Sequence, residues 1–245
     1  MNNPVLEIRA LRAGYGPRTV LENISIALAA GEWFVLLGPN GCGKSTLLDC
    51  VVSRLVPSGG EILIAGHSLR QAPFEAKRHL GYGCAPDVLP ALLTARQCLE
   101  VHAAAKGLSV IGDDLLMLAD ELRFTAYFDA FVDMLSLGTR QKLAVLLALV
   151  GDPPLIVLDE AFNGLDPASA LILKRHLRVR FERRGGALLL ATHSLDIVEH
   201  YADRAAVLID GTLKHVWPKD ELQRLRAAPG DFEAALAEAI STSAL

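Results

Sequence analysis

The sequence predicts an α/β chain with a mostly parallel core sheet, an N-terminal antiparallel β portion and an inserted α-helical lobe. Three observations carry this. Apolar runs of strand length (Trp33 to Leu37, Leu155 to Leu158, Ala187 to Thr192) alternate with helical segments, the pattern of strands covered on both faces. Ahead of the first run, Leu6 to Leu11 and Ile24, Ile26 and Leu28 alternate apolar with polar, as half-buried antiparallel strands do. From Thr94 to Val132, apolar residues recur at spacings of three and four (Leu115, Leu118, Ala119, Leu122), interrupted at Gly107 and Gly112.

In chain order, Gly14-Tyr15-Gly16-Pro17 and Gly31-Glu32 make turns between the first strands. The Trp33–Leu37 strand leads through a glycine-rich loop into a helix expected over Ser45 to Leu55, which Pro57-Ser58-Gly59-Gly60 breaks. Ile62 to Ile64 reads as a short strand. Leu80 to Gly83 reads as another, leading into the loop Cys84 to Pro90. After the helical lobe, Ser136 suits an N-cap for a helix running to Val150, stopped by Pro153-Pro154. The strand Leu155–Leu158 ends in Asp159-Glu160. A helix over Pro167 to Arg183, the strand Ala187–Thr192, His193-Ser194 and a helix over Leu195 to Ala202 follow. Ala205 to Ile209, Asp210-Gly211 and Thr212 to Val216 read as a hairpin, and Phe232, Leu236, Ala239 and Ile240 give the tail helical periodicity.

Composition bounds the function. The chain has 245 residues, 51% of them hydrophobic, enough for one large packed domain. A net charge of −4 and the lack of a basic stripe argue against nucleic acid as a partner. Four cysteines without C-x-x-C pairing fit a reducing compartment and give no zinc pattern. Met1-Asn2-Asn3-Pro4 lacks the regions of a signal peptide, and the longest apolar stretch, Leu143 to Gly151, falls short of the about 20 residues that span a bilayer. The expected location is cytoplasmic, with any membrane attachment supplied by a partner.

Gly38-Pro39-Asn40-Gly41-Cys42-Gly43-Lys44-Ser45-Thr46 satisfies G-x-x-x-x-G-K-[ST] between a strand and a helix, the context of a phosphate-binding loop. Its backbone N–H groups can curl around a phosphate with the helix N-terminus behind them. Lys44 would reach the β- and γ-phosphates, and Ser45 would complete a Mg²⁺ sphere. Asp159 suits a carboxylate held against that metal, Glu160 a base for an attacking water, and His193 a donor to the γ-phosphate. Singly, each has a structural reading, since strands often end in acids and a His after Thr is often a loop residue. All three at strand ends downstream of a phosphate loop favour chemistry.

In motif order, the chain from Leu6 to Val216 resembles the nucleotide-binding subunit of ATP-binding cassette (ABC) transporters, a P-loop NTPase fold. The motifs are an aromatic before the loop (Tyr15), Walker A (Gly38 to Thr46), a Q-loop region (Pro86-Asp87), the signature (Leu135 to Gln141) and Walker B (Leu155 to Asp159). Glu160, the D-loop Gly164-Leu165-Asp166 and the H-loop His193 complete them. The resemblance implies ATP hydrolysis with Mg²⁺, Tyr15 stacking on the base, and a head-to-tail homodimer or heterodimer. In that dimer Ser136, Leu137, Gly138, Thr139 and Gln141 would contact ATP bound to the other subunit. It also implies separate transmembrane permease subunits, at the inner face of the cell membrane.

Three positions depart from the family pattern. Asp87 stands where glutamine is usual, and is a candidate third metal ligand beside Ser45 and Asp159. The signature reads Leu-Ser-Leu-Gly-Thr, keeping Ser136 and Gly138, and Ala161 replaces the proline usual after the glutamate. Cys42, at a helix N-terminus beside Lys44, sits where a thiol pKa is lowered. Alkylation that ATP blocks is one expectation for it, and an unreactive small residue is the other. The expected division is an ABC ATPase domain over 1–218, with a helical lobe at approximately 92–134, and a C-terminal helical extension over 219–245. Placement of that extension and the Asp87 variant lean toward export. A non-transport ABC ATPase acting on a soluble complex is the alternative.

Overall fold

The computed structural model describes residues 3–227 and 230–241; Met1, Asn2 and residues 228–229 and 242–245, the last six within the expected C-terminal extension, lie outside the described residues. Strands β1 (Leu6–Tyr15) and β2 (Arg18–Leu28) form an antiparallel pair joined at Gly16-Pro17. β3 (Trp33–Leu37) leads into helix α1 (Lys44–Val51). This helix is shorter than expected, because Ser53 takes a left-handed φ of 61° two residues beyond its end. β4 (Gly59–Ile64) and β5 (His67–Ser68) complete a four-stranded antiparallel sheet in the order β2-β1-β4-β5. α2 (Pro73–Arg78), which begins on a proline and covers two turns at most, had no clear periodic signal.

β6 (Leu80–Gly83) enters the helical lobe: α3 (Ala95–Ala105), α4 (Asp113–Glu121) and two 3₁₀ turns at Thr125–Tyr127 and Val132–Met134. Thr94 and Gln97 cap α3 reciprocally, side chain to backbone at 3.2 and 2.9 Å. α5 (Leu137–Leu149) starts at the Ser136 cap. β7 (Leu155–Asp159), α6 (Pro167–Arg184), β8 (Ala187–Ala191) and α7 (Leu195–Tyr201) follow, then β9 (Arg204–Ile209) and β10 (Thr212–Trp217).

The central sheet has the order β10-β9-β3-β8-β7-β6, with β10 its antiparallel edge and the other strands parallel. Along its strands side chains alternate between two cores. Trp33, Val35, Ile156, Leu158, Leu188 and Leu190 pack with the helical lobe, α5 and α6 on one face. Phe34, Leu36, Leu155, Val157 and Leu189 pack with α1 and the antiparallel sheet on the other. Each such side chain, fully withdrawn from water, contributes about 1.5–3 kcal/mol. α5 lies so close on β6 that a Cβ added at Gly81 would fall 1.8 Å from the Ala148 carbonyl oxygen, so only glycine admits this packing.

The tail forms α8 (Lys219–Leu225) and α9 (Asp231–Ser241), which close over β9 and β10. Phe232 is buried edge-on to Trp217, with ring centroids 5.3 Å apart. Among the described residues no helix is long and apolar enough to cross a membrane.

What positions the site is strand order. β3, β8 and β7 are neighbours and run in parallel, so their carboxyl ends lie side by side, about 4.8 Å from one strand to the next. The loop after β3, Thr192-His193 after β8, and Asp159-Glu160 at the end of β7 therefore converge on one edge of the sheet.

Candidate functional site

The loop after β3 wraps the start of α1 through left-handed glycines. Gly38 (φ 152°) passes so close to β9 that a Cβ would fall 2.3 Å from the Leu208 carbonyl oxygen. Gly43, the N-cap of α1, has φ 112°, where an added Cβ would fall 2.8 Å from Leu21. A residue with a side chain would push the loop off both contacts. Lys44 Nζ donates to the carbonyls of Gly38 at 2.6 Å and Pro39 at 3.2 Å, holding its ammonium over the loop. A cavity of about 210 Å³ opens here, lined by Asn40, Gly41, Gly43 to Thr46, Asp159 and Glu160. A larger cavity, about 770 Å³, lies between α4 and α6, where Arg180 and Arg184 already pair with Asp152, and Arg184 also with Asp114. The convergent polar groups are at the smaller one.

Ser45 Oγ donates to Asp159 Oδ2 at 3.1 Å. Burial pushes the Asp159 carboxyl above the usual carboxylate range; the Ser45 hydrogen bond works against this and the neighbouring Glu160 adds to it. Two ligand oxygens on adjacent corners of an octahedral Mg²⁺, each about 2.1 Å from the metal, stand about 3 Å apart, so the pair has the chemistry and spacing for that ion. Among the described residues no cluster of three His, Cys, Asp or Glu side chains could hold a metal on its own. The ion that fits is one that takes its other oxygens from phosphate and water.

Glu160 adopts a left-handed backbone (φ 47°), a costly conformation for a residue with a side chain. Its carboxylate is held from three sides: His193 Nδ1 lies 2.9 Å from Oε1, while Thr192 Oγ1 at 2.9 Å and Asn163 Nδ2 at 3.0 Å donate to Oε2. Glu160 and His193 thus meet as a pair. Thr192 and Asn163 were not singled out from the sequence, where the available signals were adjacency to His193 and a place three residues after Glu160.

Other expected site residues lie apart from this cavity within the chain. Tyr15 ends β1, 53% exposed. Asp87 is exposed in a 3₁₀ turn (Pro86–Val88) and does not line the cavity with Ser45 and Asp159. Ser136 Oγ accepts from the Thr139 N–H at 3.2 Å and lies 2.8 Å from Thr139 Oγ1, while Leu137 beside it is 59% exposed. Gln141, on α5, is buried within the chain.

Cys42 corrects the expectation of a lowered pKa. Its side chain is buried, its sulfur packed where a Cβ on Gly38 would come within 2.7 Å. Burial pushes the thiol up and outweighs the opposing charge of Lys44.

Asp166 caps α6: Oδ1 accepts from the Ser169 N–H at 2.9 Å and Oδ2 from Ser169 Oγ at 2.6 Å, with Lys142 Nζ 3.4 Å from Oδ2. The Ser169 hydrogen bonds hold this carboxyl down at about 2. Its folded pKa is below the unfolded value of about 3.9, so its stabilisation is complete above that value and lost as pH falls through about 2. Asp166→Ala is expected to destabilise the fold at neutral pH by about 1 kcal/mol, the usual cost of a lost cap. In thermal melts the gap between the variant and the native chain should close between about pH 4 and pH 2.

Comparison with known proteins follows the same lines. A family model described as "ABC transporter" matches residues 21–163. The chain is 32% identical over 251 residues to ATP-binding cassette sub-family A member 7 of Rattus norvegicus, covering 97% of this chain but 12% of that protein. It is 32% identical to the Nod factor export ATP-binding protein I of Rhizobium sp. (strain N33), over 86% of this chain and 70% of that one. A solved structure of an "ATP binding subunit of ABC transporter" superposes with a TM-score of 0.87 at 31% identity, covering 96% of this chain and 99% of its own.

Proposed function

Because this chain belongs to the ABC transporter family as an ATP-binding domain, we propose that it binds Mg-ATP and hydrolyses it to power transport through separate membrane subunits, in the export direction. The observation that carries the reading is the meeting, at the carboxyl ends of three adjacent strands, of the Lys44 loop, the Ser45–Asp159 pair and Glu160.

In this reading the loop's N–H groups and Lys44 hold the β- and γ-phosphates, and Ser45 and Asp159 hold the magnesium. When bound, that ion neutralises charge building on the phosphate oxygens. Glu160 orients a water for attack on the γ-phosphorus and takes its proton as the bond to the β,γ-bridging oxygen breaks, releasing ADP and phosphate. His193, 2.9 Å from Glu160 Oε1, fixes that carboxylate and would donate to the γ-phosphate.

A head-to-tail dimer, of two copies or of this chain with a related one, would bring Ser136 and Gly138 of each subunit to the other's nucleotide. Partner docking has surface support. The backbone bonds Asp133 N to Ala91 O and Val132 N to Leu93 O, which gathers Leu92 (85% exposed), Phe131 (52%) and Met134 (79%) into an apolar patch on the helical lobe. The export direction is supported by the likeness to the Rhizobium relative, a Nod factor export ATP-binding protein.

The test is affinity purification of the Glu160→Gln chain from gently solubilised membranes with Mg-ATP. Multi-span membrane subunits should co-purify. Recovery with soluble proteins alone would overturn transport in favour of an ATPase acting on a soluble complex.

A further inference from the structure

We infer that Asn163 is a positioning residue for hydrolysis: it fixes the Glu160 carboxylate and ties it to a loop that the first turns of α5 brace. This rests on the reading of Glu160 as the base. Glu160 directly follows β7 in a left-handed conformation, its N–H bonded to the Ala191 carbonyl at 2.9 Å, and its side chain is placed by side-chain hydrogen bonds. Its two carboxylate oxygens are held differently. Oε1 faces His193, while Oε2 takes both Thr192 Oγ1 (2.9 Å) and Asn163 Nδ2 (3.0 Å). Thr192 directly follows β8 and is buried. Asn163 belongs to the loop 161–166 and is the donor through which that loop acts on the carboxylate.

That loop is braced from α5 at two places. At the first, α5 and the loop touch backbone to backbone: a Cβ added at Gly138 would fall 2.7 Å from the Gly164 carbonyl oxygen, and Leu137 packs on Gly164. At the second, Lys142 reaches in two directions, its Nζ donating to the Leu122 carbonyl at the end of α4 (3.1 Å) and lying 3.4 Å from Asp166 Oδ2. Lys142 thus joins the helical lobe to the cap of α6, and any shift of α5 or α4 reaches the loop carrying Asn163. Removing the Asn163 donor would leave Glu160 Oε2 with Thr192 alone and cut this connection, leaving the phosphate-binding groups in place. The expected loss is therefore in turnover rather than in nucleotide binding.

Asn163 is exposed, so its substitution does not empty any core. The test compares the native chain with Asn163→Ala, Asn163→Asp and Glu160→Gln in steady-state Mg-ATP hydrolysis, reading kcat against KM, with thermal melts as a check on folding. Asn163→Ala should lower kcat about tenfold, the rate equivalent of one hydrogen bond to a charged acceptor, with KM for ATP within about twofold. Asn163→Asp replaces the donor by a second carboxylate. It keeps the side chain's size but sets two carboxylates against each other, so kcat should fall at least as far as in Asn163→Ala, again with KM within about twofold. If Glu160→Gln loses hydrolysis while both Asn163 variants keep native kcat, the positioning role is wrong and the base assignment stands. A raised KM at unchanged kcat would also overturn it, since Asn163 would then be a nucleotide contact. If Glu160→Gln hydrolyses ATP as the native chain does, the reading beneath the inference fails as well.

Discussion

Glu160→Gln is expected to lower Mg-ATP hydrolysis about 10²–10⁴-fold, the range by which a positioned general base accelerates proton transfer, while nucleotide binding persists. The substitution keeps the volume of the side chain and an oxygen that can accept from Thr192 and Asn163, both of which donate to Oε2. It removes the group that takes the water's proton. None of the loop contacts changes, since Glu160 makes no hydrogen bond to residues 38–46. Phosphate release measured beside binding of a fluorescent ATP analogue separates the two effects. Loss of hydrolysis with retained binding is the expected result. Native turnover would remove Glu160 as the base, and loss of both would mean that the carboxylate also holds the nucleotide.

Much of this site was legible because its parts are local. The phosphate loop is a contiguous string, and Ser136 announces a helix by residue type and place. Continuous apolar runs mark β3, β7 and β8 as strands buried on both faces. Their neighbour order was not legible. That β8 lies between β3 and β7, which is what brings His193 to Glu160, depends on packing across more than 150 residues of chain and leaves no local trace. The same limit hid Thr192 and Asn163, whose roles exist only once Glu160 turns into its left-handed conformation. Cys42 shows how burial can reverse a correct local argument. A helix N-terminus and a lysine both favour the thiolate, but the sulfur packs inside the loop and desolvation dominates. The proline-initiated α2 was missed because two turns carry too little periodicity to register.

Lys44→Ala should weaken ATP binding at least about 30-fold, the lower end of what truncating a buried charged partner costs. The loop offers the triphosphate mostly neutral N–H groups, and Lys44 is the cation lining its cavity. Lys44 is itself buried, at 8% exposure, with its ammonium satisfied by the Gly38 and Pro39 carbonyls. Binding ATP exchanges or shares those neutral acceptors for phosphate oxygens that carry charge, a gain concentrated in the bound state. The alanine chain loses that gain and leaves two carbonyls to water, a smaller and local penalty. Its melting temperature without nucleotide should therefore stay close to native, while the rise in melting temperature on adding Mg-ATP should largely vanish, because stabilisation by a ligand follows its affinity. Lys44→Arg keeps the charge but needs room for a planar fork between Gly38 and Pro39, so it should bind ATP more weakly than the native chain. Full binding by the alanine chain would instead place the phosphate contacts on the backbone and helix N-terminus alone, and Lys44 would then be a brace of the loop.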